Sequence, residues 1–198
     1  IPLTPAMRMI FEISSLKNAT PATVSRAGIL YINEKDIGWR PYVDSWIARR
    51  EDETERGHLT VCFDKYIQRL LNLLRANKLE HIVPRTNAAM VMSVCHLMDS
   101  LLEAGPYEKL APVESLFVFA TMWAFGGTLT ADKTNSARSA FSALWRAEFQ
   151  TVKIPEGGDI FDYAFSPDDP GAVFTPWSER VPSFVPMGDG DISSVIVP

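Results

Sequence analysis

Between residues 59 and 149 apolar side chains recur at steps of three and four, and this periodicity commits the middle of the chain to packed helices. In 59–76 the stripe is Cys62, Phe63, Tyr66, Ile67, Leu70, Leu71 and Leu74. In 87–103 it is Met90/Val91, Val94/Cys95, Leu97/Met98 and Leu101/Leu102, introduced by Pro84-Arg85-Thr86 and stopped by Gly105-Pro106. The stretch 112–125 is apolar on all sides through Phe117, Val118, Phe119, Met122, Trp123 and Phe125, which predicts the central helix of a bundle, ended by Gly126-Gly127. A further helix over 132–149 turns Ala137, Phe141, Leu144, Trp145 and Phe149 inward, with Asp132 as its N-cap.

The flanks read differently. Residues 7–16 and 28–33 have the composition of buried strands, separated by the polar, turn-rich segment 17–26. Tyr42, Val43, Trp46 and Ile47 mark a short helix after Pro41, and the charged run 49–56 is expected to be a solvated helix end or loop. After Pro155-Glu156-Gly157-Gly158 the helical period vanishes. Ile160 to Phe165 and Val173 to Trp177 suggest a hairpin around Pro167-Asp168-Asp169-Pro170-Gly171, its second arm made an edge strand by Pro176. The expected fold is α+β by content and mainly α: the end of an α/β part over 1–40, a helical bundle over 41–150, and a short β-hairpin region over 151–198. The chain opens on Ile1 rather than Met and stops on an apolar strand-like stretch, Ile192 to Pro198, so it is expected to be a segment of something larger.

Composition removes several function classes. With 46% hydrophobic and 22% charged residues the chain is globular rather than disordered. A net charge of −5 argues against a nucleic-acid partner. The longest apolar run, Leu116 to Phe125, suits a buried helix better than a membrane span, and no signal peptide opens the chain. Two cysteines in apolar surroundings, Cys62 and Cys95, read as reduced intracellular thiols rather than a disulfide framework.

The sequence contains no phosphate-binding P-loop, no dinucleotide fingerprint and no zinc-protease helix. His96 beside Cys95, and His58 four residues before Cys62, lack the paired spacing of a zinc site, so no metal site is expected; the residues read as core thiols and capping histidines. Asp189-Gly190-Asp191 resembles the start of a calcium loop but no Glu follows at its twelfth position. Ser93, His96 and Asp99 fall on one helical face, and a hydrolase using Ser93 or Ser25 with His96 and Asp99 lacks the strained turn and oxyanion donors such a triad needs. Arg26 is the most pointed residue: at the end of a polar turn before a strand-like run, it can project a guanidinium from a rigid support toward a neighbour's phosphate, although from the residues alone a surface arginine or a carbonyl-binding cap is the plainer reading.

The string Phe11-Glu12-Ile13-Ser14-Ser15-Leu16-Lys17-Asn18-Ala19-Thr20-Pro21-Ala22-Thr23-Val24-Ser25-Arg26-Ala27-Gly28-Ile29-Leu30-Tyr31 closely resembles the end of the second AAA+ module of dynein heavy chains, of the axonemal, outer-arm type. Ile37 to Ile47, then Trp123-Ala124-Phe125-Gly126-Gly127, Ile160-Phe161-Asp162-Tyr163 and Pro176-Trp177-Ser178 resemble that family in matching order. The resemblance implies a microtubule motor ATPase of the cytoskeleton, in the axoneme of a cilium or flagellum. Residues 1–40 would finish the AAA+ large part of the second module, 41–150 form its helical lid, and 151–198 begin the third.

By the same resemblance, Ser25-Arg26 is similar to the arginine finger that the second module presents to ATP held by the first. Ser14 and Ser15 fall near the sensor-1 position, where related modules carry Asn, which implies a structural ATP site. Arg85 lies where a sensor-2 arginine can sit, and Val195, Ile196 and Val197 resemble the strand lining the third module's adenine pocket. The implied cofactor is ATP or ADP with Mg in the intact ring, with none bound and no hydrolysis by the segment alone. The implied partners are adjacent AAA+ modules of the same chain, and microtubules and other dynein chains through the whole motor. The competing expectation is a free-standing helical protein-interaction module without a nucleotide role.

Overall fold

The computed structural model describes residues 4, 6–103, 105, 107–131, 136–166 and 173–181, in two units, Ile1–Ile37 and Gly38–Pro198. The first unit carries two short helices, α1 (Pro21–Arg26) and α2 (Glu34–Ile37). The strands expected over 7–16 and 28–33 do not form. A strand needs a neighbour to take its N–H and C=O groups, and none of the described residues supplies one. The apolar side chains there accordingly face solvent, with Ile10 95%, Leu30 82% and Tyr31 82% exposed. The polar segment between them, expected as a turn, instead folds into α1. Thr20 accepts at the helix N-terminus and Pro21 takes the first turn, where its missing N–H costs nothing.

The second unit is helical. Helix α3 (Arg40–Ala48) carries Pro41 in its first turn and buries Val43, Trp46 and Ile47. Helix α4 (Glu53–Asn77) begins earlier than its apolar stripe: Asp52 accepts from the Thr54 N–H at 2.9 Å, so half of the charged run becomes its first turns, with Glu53 and Glu55 favourably placed on the helix dipole. The helix ends at Lys78, in the left-handed region at φ 47°. Helix α5 (Asn87–Leu101) is capped by Thr86, which accepts from Ala89 N–H at 3.1 Å. Helix α6 (Leu110–Gly126) is the central element expected, and it packs on α4, α5 and the segment that follows the helices.

Helix α7 (Ala137–Glu148) is capped by Ser136, which accepts from Ser139 N–H at 3.1 Å. The start therefore lies later than the expected 132, and Asp132 falls outside the described residues. A 3-10 turn at Ile160–Asp162 leads into β1 (Tyr163–Phe165), which pairs antiparallel with β2 (Phe174–Pro176) in the register Tyr163↔Pro176, Ala164↔Thr175, Phe165↔Phe174. A short helix α8 (Trp177–Arg180) follows. The hairpin matches the sequence expectation; its turn, Pro167 to Gly171, lies outside the described residues, as do Asp189-Gly190-Asp191 and the terminal stretch Ile192 to Pro198.

One core runs through this unit and is rich in rings. Phe63 meets Phe117 edge-on at 4.8 Å, Trp145 lies 4.7 Å from Phe149, and Phe165 lies 5.2 Å from Phe174. Ile160, Phe161, Tyr163 and Phe174 share the cluster with the helices, so the β hairpin is bonded into the bundle rather than appended to it. The loops after α4 and α6 are tied by Ile82 N–H donating to Thr128 O at 2.9 Å and Thr130 N–H donating to Glu80 O at 3.1 Å. Among the described residues no helix is long and apolar enough to cross a membrane.

Candidate functional site

In the first unit, the hydrogen bonds that build the segment around Arg26 are local ones among the described residues. Thr20 Oγ1 accepts from Thr23 N–H at 3.3 Å and lies 2.9 Å from Thr23 Oγ1; Thr20 O accepts from Thr23 N–H and Val24 N–H at 3.0 and 3.1 Å. Ser25 donates its hydroxyl to Ala22 O at 3.1 Å, and Ala27 N–H closes the last turn on Val24 O. Arg26 is the basic residue of that last turn and is exposed. A cation there is favoured by the partial negative charge of the free carbonyls. Among the described residues Arg26 has no ion pair, so its charge is available to an incoming anion.

Ser14 and Ser15 are exposed too, but no strand ends there. Ser15 Oγ instead accepts from Lys17 N–H at 3.2 Å, a turn contact. Val195, Ile196 and Val197 lie outside the described residues.

In the second unit Arg85 is engaged inside the bundle. It donates from Nη1 to Ala124 O at 3.3 Å, and from Nη2 to Ala89 O at 3.3 Å and Ser93 Oγ at 2.5 Å. The guanidinium thus joins the start of α5 to the last turn of α6, where it also suits the helix dipole. Nearby, His81 Nδ1 lies 2.9 Å from Thr128 Oγ1; burial, and secondarily the Arg85 charge, holds its pKa below the usual histidine range.

Ser93, His96 and Asp99 share a face of α5 without forming a relay. Ser93 donates to Ala89 O and takes Arg85; His96 Nε2 lies 3.5 Å from Tyr42 Oη; Asp99 accepts from Trp46 Nε1 at 3.1 Å and from Arg50. Each is turned to a different partner. Both thiols are free and buried. Burial, reinforced by Glu114, pushes Cys62 up to about 12, and burial with Asp99 does the same for Cys95, the reverse of what a nucleophile needs. Among the described residues no group of three or more His, Cys, Asp or Glu could hold a metal ion.

Sequence reasoning missed one polar centre. Glu114, buried on α6, accepts from Tyr66 Oη at 2.7 Å and from Lys65 Nζ at 2.5 Å. It lines a cleft of about 210 Å³ with Ser115, Thr151, Val152, Lys153 and Phe174. The signal was present: Glu114 is the single acid in a helix otherwise apolar on all sides, and such a residue is buried only with partners.

The family model described as "Dynein heavy chain AAA lid domain" matches residues 59–179, which holds α5 to α7, the hairpin and most of α4. The chain belongs to this dynein lid family. It is 49% identical over 187 residues to human dynein axonemal heavy chain 9, and 49% identical over 187 residues to the ciliary dynein beta chain of Heliocidaris crassispina; in both cases 93% of the chain is matched. It is 37% identical over its whole length to the flagellar outer arm dynein beta chain of Chlamydomonas reinhardtii. The chain spans about 4% of the length of each of these relatives. The resemblance to axonemal dynein heavy chains, outer-arm chains included, thus holds across nearly all of the chain and reaches beyond the residues that the lid model matches.

Proposed function

We propose that the chain works as part of the AAA+ ring of an axonemal dynein motor, joining the end of one module (1–40), its lid (41–150) and the start of the next (151–198), with Arg26 acting as an arginine finger on ATP held by the neighbouring module. The observation that carries the reading is Arg26 itself: an exposed cation on the last turn of a capped helix, without an ion pair among the described residues, upstream of a dynein lid. The residues fit one part of a nucleotide site. They offer a guanidinium for a phosphate, whereas the bulk of the phosphate and metal contacts would come from outside the described residues.

Bound ATP with its magnesium ion supplies the phosphoryl group whose transfer drives such a motor. Arg26 holds a fixed positive charge where negative charge grows in the transition state; arginine fingers of this kind are worth about 10³ to 10⁵ in rate. The bundle supplies a lid that moves as one piece, because its helices and hairpin share one core. Ser14 and Ser15 are proposed as the sensor-1 pair of a structural nucleotide site, and Val195 to Val197 as one wall of the next adenine pocket. The sensor-2 reading of Arg85 requires it to release Ala124, Ala89 and Ser93; the bonded geometry favours a brace between α5 and α6 instead. The adjacent modules, microtubules and other dynein chains are the partners in this reading, and the axoneme of a cilium or flagellum the location, as the names of its relatives suggest.

The test is Arg26→Ala in a motor carrying this sequence. Microtubule-stimulated ATP turnover is expected to fall at least tenfold, with ATP binding to the first module retained. Unchanged turnover rejects the finger.

A further inference from the structure

Helix α1 has six residues and buries none of them. A helix that short is not stable by itself in water, and this one has no packed face to compensate. Local contacts hold it: Pro21 in its first turn, the bonds from Thr23 and Val24 N–H to Thr20 O, the Thr20 side chain, the Ser25 hydroxyl on Ala22 O and the Val24 O to Ala27 N–H closure. Of these, the Thr20 hydroxyl is the side-chain group that caps the first turn, and a single substitution removes it without touching the backbone.

From this we infer that Thr20 is a positioning residue for Arg26. Its Oγ1 accepts from Thr23 N–H and shares a hydrogen bond with Thr23 Oγ1, which fixes the first turn; one turn later the same helix presents Arg26. With the cap in place the guanidinium leaves the chain from a defined point and direction. Without it, α1 frays and the arginine is spread over many positions, so fewer molecules hold the charge where a phosphate needs it. A cap of ordinary strength corresponds to about a fivefold change in such a population. The inference rests on the finger reading of Arg26, and the experiment separates the two.

The motor is made as the parent and as Arg26→Ala, Thr20→Val, Thr20→Ser and the Arg26→Ala/Thr20→Val double variant, and kcat and KM for ATP are measured with microtubules. Thr20→Val is expected to lower kcat about fivefold with KM for ATP within twofold, because the nucleotide is bound elsewhere. Thr20→Ser keeps the hydroxyl and is expected to restore parental kcat. In the double variant the valine is expected to add nothing, since there is no longer an arginine to place. If Arg26→Ala impairs turnover while Thr20→Val does not, Thr20 has no positioning role and the finger stands. If Thr20→Val costs the same factor with and without Arg26, or if serine fails to rescue, its effect is general destabilisation and the inference is overturned. If Arg26→Ala leaves turnover unchanged, the finger reading itself falls.

Discussion

Tyr66 donates its hydroxyl to the buried carboxylate of Glu114 at 2.7 Å, and this bond joins α4 to α6 at the centre of the lid. Lys65, one residue along the same helix, reaches the same carboxylate oxygen from the more exposed side. A lone acid in an otherwise apolar helix is thereby neutralised without a break in the core. The Tyr66 phenol is held well above its usual range, by burial first and then by its hydrogen bond to Glu114, so it stays protonated and keeps donating.

Removing either partner should therefore be costly. Tyr66→Phe leaves the carboxylate with Lys65 alone and is expected to cost about 1–3 kcal/mol. Glu114→Ala removes the acceptor of the Tyr66 hydroxyl and leaves the Lys65 ammonium without its carboxylate, and is expected to cost about 3 kcal/mol. Urea unfolding of the two variants and of the double variant checks this; strict additivity would mean that the two side chains do not act as a pair.

The thiols make a prediction in pH. Cys62 and Cys95 have pKa values pushed up to about 12, whereas in the unfolded chain they ionise near their ordinary value of 9.0. Above that ordinary value the unfolded state loses protons that the folded state keeps, which favours unfolding. The stability they contribute is thus complete below about pH 9, and it declines as pH rises toward about 12. Thermal melts between pH 7 and 11 should show this decline, flattened in a Cys62→Ala/Cys95→Ala variant. At pH 8 neither thiol should react with a disulfide reagent until denaturant is added.

Gly126 sits where α6 comes closest to the 3-10 turn. A Cβ there would lie 2.3 Å from Phe161 Cζ and 2.9 Å from Phe141 Cε1. Gly126→Ala is therefore expected to destabilise the lid by about 1–3 kcal/mol despite alanine's better helix propensity. Combining it with Phe161→Leu should cost less than the sum of the two changes, read from denaturation midpoints. An alanine variant as stable as the parent would mean that the rings move aside freely.

His81 offers an electrostatic test. Its pKa lies below the usual range chiefly through burial and secondarily through Arg85. Arg85→Met is expected to raise it, though not to the ordinary histidine value, because burial remains. A proton NMR titration of the ring reads both pKa values. A folded-state pKa below the unfolded one means stability that is present at neutral pH and lost as pH falls through the histidine range, and this loss should be smaller in the variant.

The helices were legible because a packed face writes its period into the chain. The stripe from Cys62 to Leu74 is buried throughout at the named positions, and the all-round apolar character of Phe117 to Phe125 identifies the central element. The hairpin followed from short β-rich runs around a turn, whereas its register came from the packed structure. The segments 7–16 and 28–33 misled for a physical reason: strand composition states that a residue suits a sheet, not that a partner strand is at hand. Helix α1 was missed because its signal is two residues, Thr20-Pro21, inside a stretch that otherwise reads as turn. Glu114 was passed over among apolar neighbours, and the partners that explain it lie 48 and 49 residues away in the chain. Distances of that kind are set by packing, which period and composition do not encode.

Helix α6 packs against α4, α5, the 3-10 turn and β1, while Ala111 in its first turn stays exposed. Side chains that interdigitate with four neighbours at crystal-like density resist sliding past any one of them. In mechanical terms α6 is the axle of this bundle, seated against both α4 and β1.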